Sequence, residues 1–101
     1  MSVILPKPVL FQWDKGNIYK IGNKHGINNS ECEEAFFDPG RTIIQDAQHS
    51  EEEERNLLFG KTKEGKLLVV AFTIRADCIR VISARKINKK EIKYYEKSKT
   101  K

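Results

Sequence analysis

The sequence predicts a two-layer α+β domain with element order β-α-α-β-β-β-α and an antiparallel meander at its C-terminal end. Three observations lead there. The most apolar stretch, Leu67 to Arg75 (LLVVAFTIR), is strand-like and joins its neighbours by short connections, which permit antiparallel pairing and exclude crossovers. Two earlier segments space their apolar residues three and four apart, the helical period. Finally, 101 residues supply one core, so helices must cover a face of the sheet.

Each element has a local reason. Val9 to Trp13 (VLFQW) is apolar and aromatic and reads as a short strand. Asp14 offers an N-cap carboxylate, and Ile18 and Ile21 then predict a helix over about residues 15–24, ended by Gly26. Asn28 and Glu31 have capping-box spacing, and Cys32, Ala35 and Phe36 form the apolar stripe of a second helix. Asp38-Pro39-Gly40 stops it, and Thr42 to Gln45 (TIIQ) reads as a brief extended piece. Three strands follow: about Arg55 to Gly60, Leu67 to Arg75, and Cys78 to Ser83 continuing to Arg85. Gly65 marks the first turn and Ala76-Asp77 the second. Asn88 caps a last helix, Lys89 to about Lys97, with Ile92 and Tyr95 on its apolar side. Trp13, Phe36, Phe37, Phe72, Cys32 and Cys78 are expected in the core. Residues 1–101 read as a single domain, with 1–8 and 96–101 as flexible extensions.

Composition narrows the class. Hydrophobic residues at 39% and charged residues at 33% fit a folded globular chain and exclude a disordered one. No apolar run reaches the roughly 20 residues of a membrane helix. The N-terminus, interrupted by Pro6, Lys7 and Pro8, is no signal peptide, so a cytoplasmic protein with reduced thiols is expected. Charge is polarised. Residues 31–54 hold nine acidic side chains and one arginine, whereas residues 85–101 hold eight Lys/Arg and two Glu. A basic surface attracts phosphate backbones, although a charged tail is more often only a solvated face.

Neither a phosphate-binding glycine loop, a dinucleotide fingerprint nor zinc-ligand spacing occurs, so neither metal nor cofactor is expected. The basic residues near strand ends are more informative. Arg75 ends one strand, Arg80 lies in the next, and Arg85 and Lys86 end that one. Strict alternation puts Arg80 and Arg85 on opposite faces unless a bulge intervenes, and the sequence leaves open which of them shares a site with Arg75. Pairing with Glu51 to Glu54 or Asp77 is the commoner role for any one arginine. Several converging guanidiniums, however, clamp a phosphate through bidentate hydrogen bonds. RNA brings its own nucleophile, the 2′-hydroxyl. In Lys24-His25-Gly26, His25 titrates near neutrality and can move a proton. Its plainer reading is a side chain meeting the last carbonyls of a helix. Of Tyr94 and Tyr95, one is expected to pack inward and the other to face RNA or a partner.

Taken together, these residues resemble a family. F-x-W-D (Phe11, Trp13, Asp14) precedes K-H-G (Lys24, His25, Gly26), F-x-D-P (Phe36, Asp38, Pro39) and H-S-E-x-E-E-R (His49 to Arg55). Gly60, L-x-V-V (Leu67, Val69, Val70), T-x-R (Thr73, Arg75) and I-R-V-I-S-A-R-K (Ile79 to Lys86) follow. This ordered set, over about residues 9–95, is similar to the BrnT toxins. The resemblance implies a RelE-like fold, an RNA-cleaving toxin that inhibits translation and growth, and a BrnA-like ribbon-helix-helix antitoxin, with DNA bound only through the toxin–antitoxin complex. It implies Lys24, His25, Arg75, Arg80 and Arg85 as the active surface of an endoribonuclease. Lys86, Lys89, Lys90 and Tyr95 are expected along the RNA. Asn17 and Ile21 stand where the family usually has Lys and Asn. The alternative function is a non-catalytic module that binds nucleic acid or the antitoxin.

Overall fold

The computed structural model describes residues 5–14, 26–46 and 53–97. Six elements occur in order: α1 (Asn29–Phe36), β1 (Thr42–Gln45), β2 (Asn56–Lys61), β3 (Leu67–Arg75), β4 (Cys78–Lys86) and α2 (Ile92–Lys97). The strands form one sheet, β1-β2-β3-β4, with every neighbour antiparallel.

The capping box expected at Asn28 forms. Its side chain accepts from the Glu31 N–H at 2.9 Å, and the Glu31 carboxylate accepts from the Asn28 N–H at 3.1 Å. Cys32, Ala35 and Phe36 then face a core with Leu58, Leu68, Val70, Phe72, Ile79 and Val81. Gly60 lets α1 approach the sheet closely, because a Cβ there would lie 2.4 Å from the Ala35 carbonyl oxygen.

Three expectations about the architecture are corrected. TIIQ is a full strand, β1: Ile43 opposite Leu58 extends the core under α1, while Ile44 opposite Leu57 extends a second one. Val9 to Trp13, by contrast, forms no strand beyond a single parallel bridge from Phe11 to Ile79. There the Ile79 N–H donates to the Leu10 carbonyl at 2.7 Å and the Gln12 N–H to the Ile79 carbonyl at 2.8 Å. The described order is therefore α-β-β-β-β-α, and the helix expected over 15–24 lies outside the described residues.

The third correction concerns layers. α2 packs on the face opposite α1, where Tyr95 joins Phe59 and Val69 with Leu57, Leu67 and Ile87 around them. β3 is apolar on both faces, as a strand covered on both sides must be, so helices flank the sheet on each side. α2 also starts later than expected. A turn at 89–91 precedes it, closed by the Glu91 N–H donating to the Asn88 side chain at 3.0 Å and the Asn88 N–H to the Glu91 carboxylate at 3.1 Å.

Two expected core residues lie further out. Phe37 follows the last turn of α1, off its buried stripe, and is 59% exposed with its ring edge-on to Phe11. Cys78, at the hairpin end of β4, is half-buried. The Cys32 thiol is pushed up to about 12 by burial, with Glu31 and Glu33 adding to it, so it stays protonated.

Candidate nucleic-acid interface

The candidate site is built on the β3–β4 hairpin. Its two-residue turn places Ala76 and Asp77 at φ +52° and +63°, the left-handed pair that matches the twist of adjoining strands. Across the hairpin Arg75 faces Cys78 and Thr73 faces Arg80. Further along, Ala71 faces Ser83 while Phe72 faces Val81, which leaves Ile82 as an extra residue in a β-bulge. The bulge answers the question that strict alternation posed. By register, Thr73, Arg75, Arg80 and Arg85 all lie on the face opposite α1.

These cations are not equally grouped. Arg75 and Arg80 adjoin across the strand pair, and each feels the carboxylate that pairs with the other. Arg85 faces Val69, four residues along β3 from Thr73, hence about 13 Å away at the backbone. Each guanidinium holds a carboxylate. Arg75 donates to Glu53 at 2.6 and 3.0 Å, and Arg80 to Asp14 at 2.6 and 3.0 Å. Arg85 donates to Glu91 at 2.7 and 2.5 Å, tying the turn before α2 to the sheet. These hydrogen bonds raise the pKa of all three arginines, and they hold Glu53 and Glu91 below the ordinary carboxylate range. The Thr73 hydroxyl donates to the Glu54 carbonyl at 2.9 Å, which lays residues 53–54 over the sheet and presents Glu53 to Arg75.

Of the two carboxylates that complete this cluster, Glu53 belongs to the Glu51 to Glu54 run expected to pair with an arginine, whereas Asp14 is expected only as a helix N-cap and motif residue. Their signal was the acidic run before β2 and the Asp that follows Trp13. Exposed carboxylate–guanidinium pairs contribute little net stability and exchange readily for another anion. A phosphate, with its greater charge and matching bidentate geometry, is the competitor best suited to both arginines.

The remaining candidates separate. Lys24 and His25 lie outside the described residues. Lys86 faces Leu68 and so belongs to the α1 side, where its charge is felt by Glu31, which itself pairs with Lys66 at 2.7 Å. Lys89 and Lys90 are exposed on the turn before α2. Tyr95 is 3% exposed and its hydroxyl donates to Asp38 at 2.8 Å, so it cannot lie along RNA; burial, then Asp38, pushes its pKa up to about 12. Tyr94 is the exposed tyrosine, stacked on Phe59 with the Lys93 ammonium 5.4 Å from its ring centre.

The α1 side carries a larger concavity, about 620 Å³, lined among others by Glu33, Glu34, Asp38, Lys61 and Lys63. Carboxylates outnumber lysines there and no guanidinium offers a bidentate contact, so the arginine face is the better phosphate site. Among the described residues, no three His, Cys, Asp or Glu side chains are grouped to hold a metal ion. No described helix is long and apolar enough to cross a membrane.

Comparison with protein families decides the class. Residues 13–91 match the profile described as "Ribonuclease toxin, BrnT, of type II toxin-antitoxin system". The chain belongs to the BrnT family. The match runs from Trp13 to Glu91 and so covers Asp14, Glu53, both hairpin arginines and Arg85. A comparison with curated proteins finds no match. Membership makes this chain a toxin of the ribonuclease class in a type II system, and such a toxin has an antitoxin partner.

Proposed function

We propose that this BrnT-family chain is an endoribonuclease that cleaves RNA by transesterification without a metal ion. The observation that carries this is the register of the β3–β4 hairpin, which gathers Arg75 and Arg80 into one cluster. A phosphodiester displaces Glu53 and Asp14 and takes two bidentate contacts from the guanidiniums. The 2′-oxygen attacks the adjacent phosphorus, the P–O5′ bond breaks, and the products are a 2′,3′-cyclic phosphate and a 5′-hydroxyl. The arginines stay protonated throughout and stabilise the charge that develops on the pentavalent phosphorus. Proton transfer from the 2′-hydroxyl and to the leaving oxygen falls to Lys24 and His25.

In this reading Arg85, Lys89 and Lys90 extend the positive field along the strand, while Tyr94 replaces Tyr95 as the aromatic within reach of RNA. The fold is RelE-like and the protein acts in the cytoplasm. A BrnA-like ribbon-helix-helix protein neutralises it, and contact with DNA arises only in that complex.

One observation favours a second reading, a phosphate-binding module without chemistry: every arginine of the face is already paired. The two readings separate when the purified chain is incubated with RNA in excess chelator. New 5′-hydroxyl ends and cyclic phosphates support the nuclease. Salt-sensitive binding with intact RNA supports the module.

A further inference from the structure

We infer that β1 is a dimerisation edge, on which a second copy of this chain adds its own β1 antiparallel to form a continuous sheet. The two edges of the sheet differ in what guards them. On β4 the chain's own residues 10–12 take the Ile79 N–H and carbonyl, and the rest of that strand carries a bulge and the charged Arg80, Arg85 and Lys86, which blunt an edge. Beyond β1 no described strand pairs.

The pattern of β1 shows which groups face outward. The Asp46 N–H donates to the Arg55 carbonyl at 2.8 Å, which makes Asp46–Arg55 a hydrogen-bonded pair. Ile44–Leu57 and Thr42–Phe59 then share that character, and Ile43 and Gln45 turn their N–H and C=O away from β2. The strand Thr-Ile-Ile-Gln carries no Lys or Pro to blunt this row.

Both hydrophobic layers also end at this edge. Ile43 packs on the core under α1 and Ile44 on the core under α2, and each remains only half-buried. A second β1 completes both layers at once.

The outward groups permit a specific two-fold register. Ile43 of each copy pairs with Gln45 of the other, giving four backbone hydrogen bonds, and Ile44 meets its own mate on the axis. Directly opposed residues then share a face, as antiparallel pairing requires. Thr42, whose hydroxyl is buried without a partner, comes opposite Asp46 of the second copy. Arg41 of each chain lies at the end where the other carries Asp46, so opposite charges meet at both ends. The edge lies across the sheet from β4, so the arginine cluster stays open.

Sedimentation equilibrium on the full chain tests this. Gln45→Pro removes an outward N–H while leaving an exposed side-chain position and the β1–β2 ladder intact. The wild type is expected to dimerise with rising concentration, and the variant, folded by circular dichroism, to dimerise about tenfold or more weakly. Ile44→Cys is expected to give a disulfide-linked dimer on oxidation, whereas Ile43→Cys and the wild type are not. A wild type that stays monomeric, a dimer untouched by Gln45→Pro, or cross-linking at Ile43→Cys instead of Ile44→Cys overturns the proposal. So does an edge that pairs only with a different protein.

Discussion

Arg80→Gln is the substitution on which the proposed chemistry turns. The Arg80 side chain is 17% exposed and donates to Asp14 through both terminal nitrogens, whereas the Arg75 side chain is 51% exposed. A donor shielded from water interacts more strongly with developing charge than one bathed in it. A well-placed donor of this kind is worth about 10²–10³ in rate. Arg80→Gln is therefore expected to slow single-turnover RNA cleavage by about 10²–10³, and Arg75→Gln by roughly tenfold, since solvent already screens that position. The double variant should lose less than the product of the two, because the arginines act on one phosphate. Stability is expected to change little, since the Asp14 side chain is 48% exposed and water screens its pair with Arg80, so melting should shift by no more than about 4 °C. Cleavage at the wild-type rate by folded Arg80→Gln would refute the reasoning, as would a larger loss at Arg75 than at Arg80.

Two predictions concern the scaffold. Gly60→Ala must push α1 away from the Ala35 carbonyl contact, and overpacking of this kind costs about 1–3 kcal/mol, a melting decrease of roughly 5–20 °C read by calorimetry. Glu91 and Glu31 are held below the ordinary value of 4.5 by hydrogen bonds from Arg85 and Lys66, so as pH falls the unfolded chain takes up protons first. The stability these groups contribute is full above about pH 4.5 and is lost as pH drops through their lower folded values. Glu91→Gln is expected to flatten denaturant-measured stability against pH in that window, and an unchanged slope contradicts it.

Much of the fold was legible because local signals agree with the tertiary result. The capping box at Asn28, the stripe Cys32-Ala35-Phe36 and the turn at Ala76-Asp77 each act over a few residues. What stayed hidden depends on distant partners. TIIQ, read as a brief extended piece, becomes a sheet strand because β2 offers it a mate, and Tyr95, which spacing places on the apolar side of its helix, finds its hydroxyl's partner in Asp38, 57 residues away. The same holds at the site. Arg75 and Arg80 could be singled out from residue type and strand position, but the bulge at Ile82 arises from β3–β4 pairing and has no sequence marker such as glycine. It decides which arginines share a face. Asp14 meets Arg80 across 66 residues, a contact that spacing along the chain cannot reveal.

The location of the substrate is the claim that nuclear magnetic resonance tests most directly. An RNA carrying 2′-deoxyribose at the scissile position lacks the nucleophile and stays intact during titration. Binding is expected to shift the side-chain Nε signals of Arg75 and Arg80 first, with the backbone of Glu53 and Asp14 following as their carboxylates are displaced. Shifts confined to the α1 side around Phe37, with the two guanidiniums unmoved, would contradict the account.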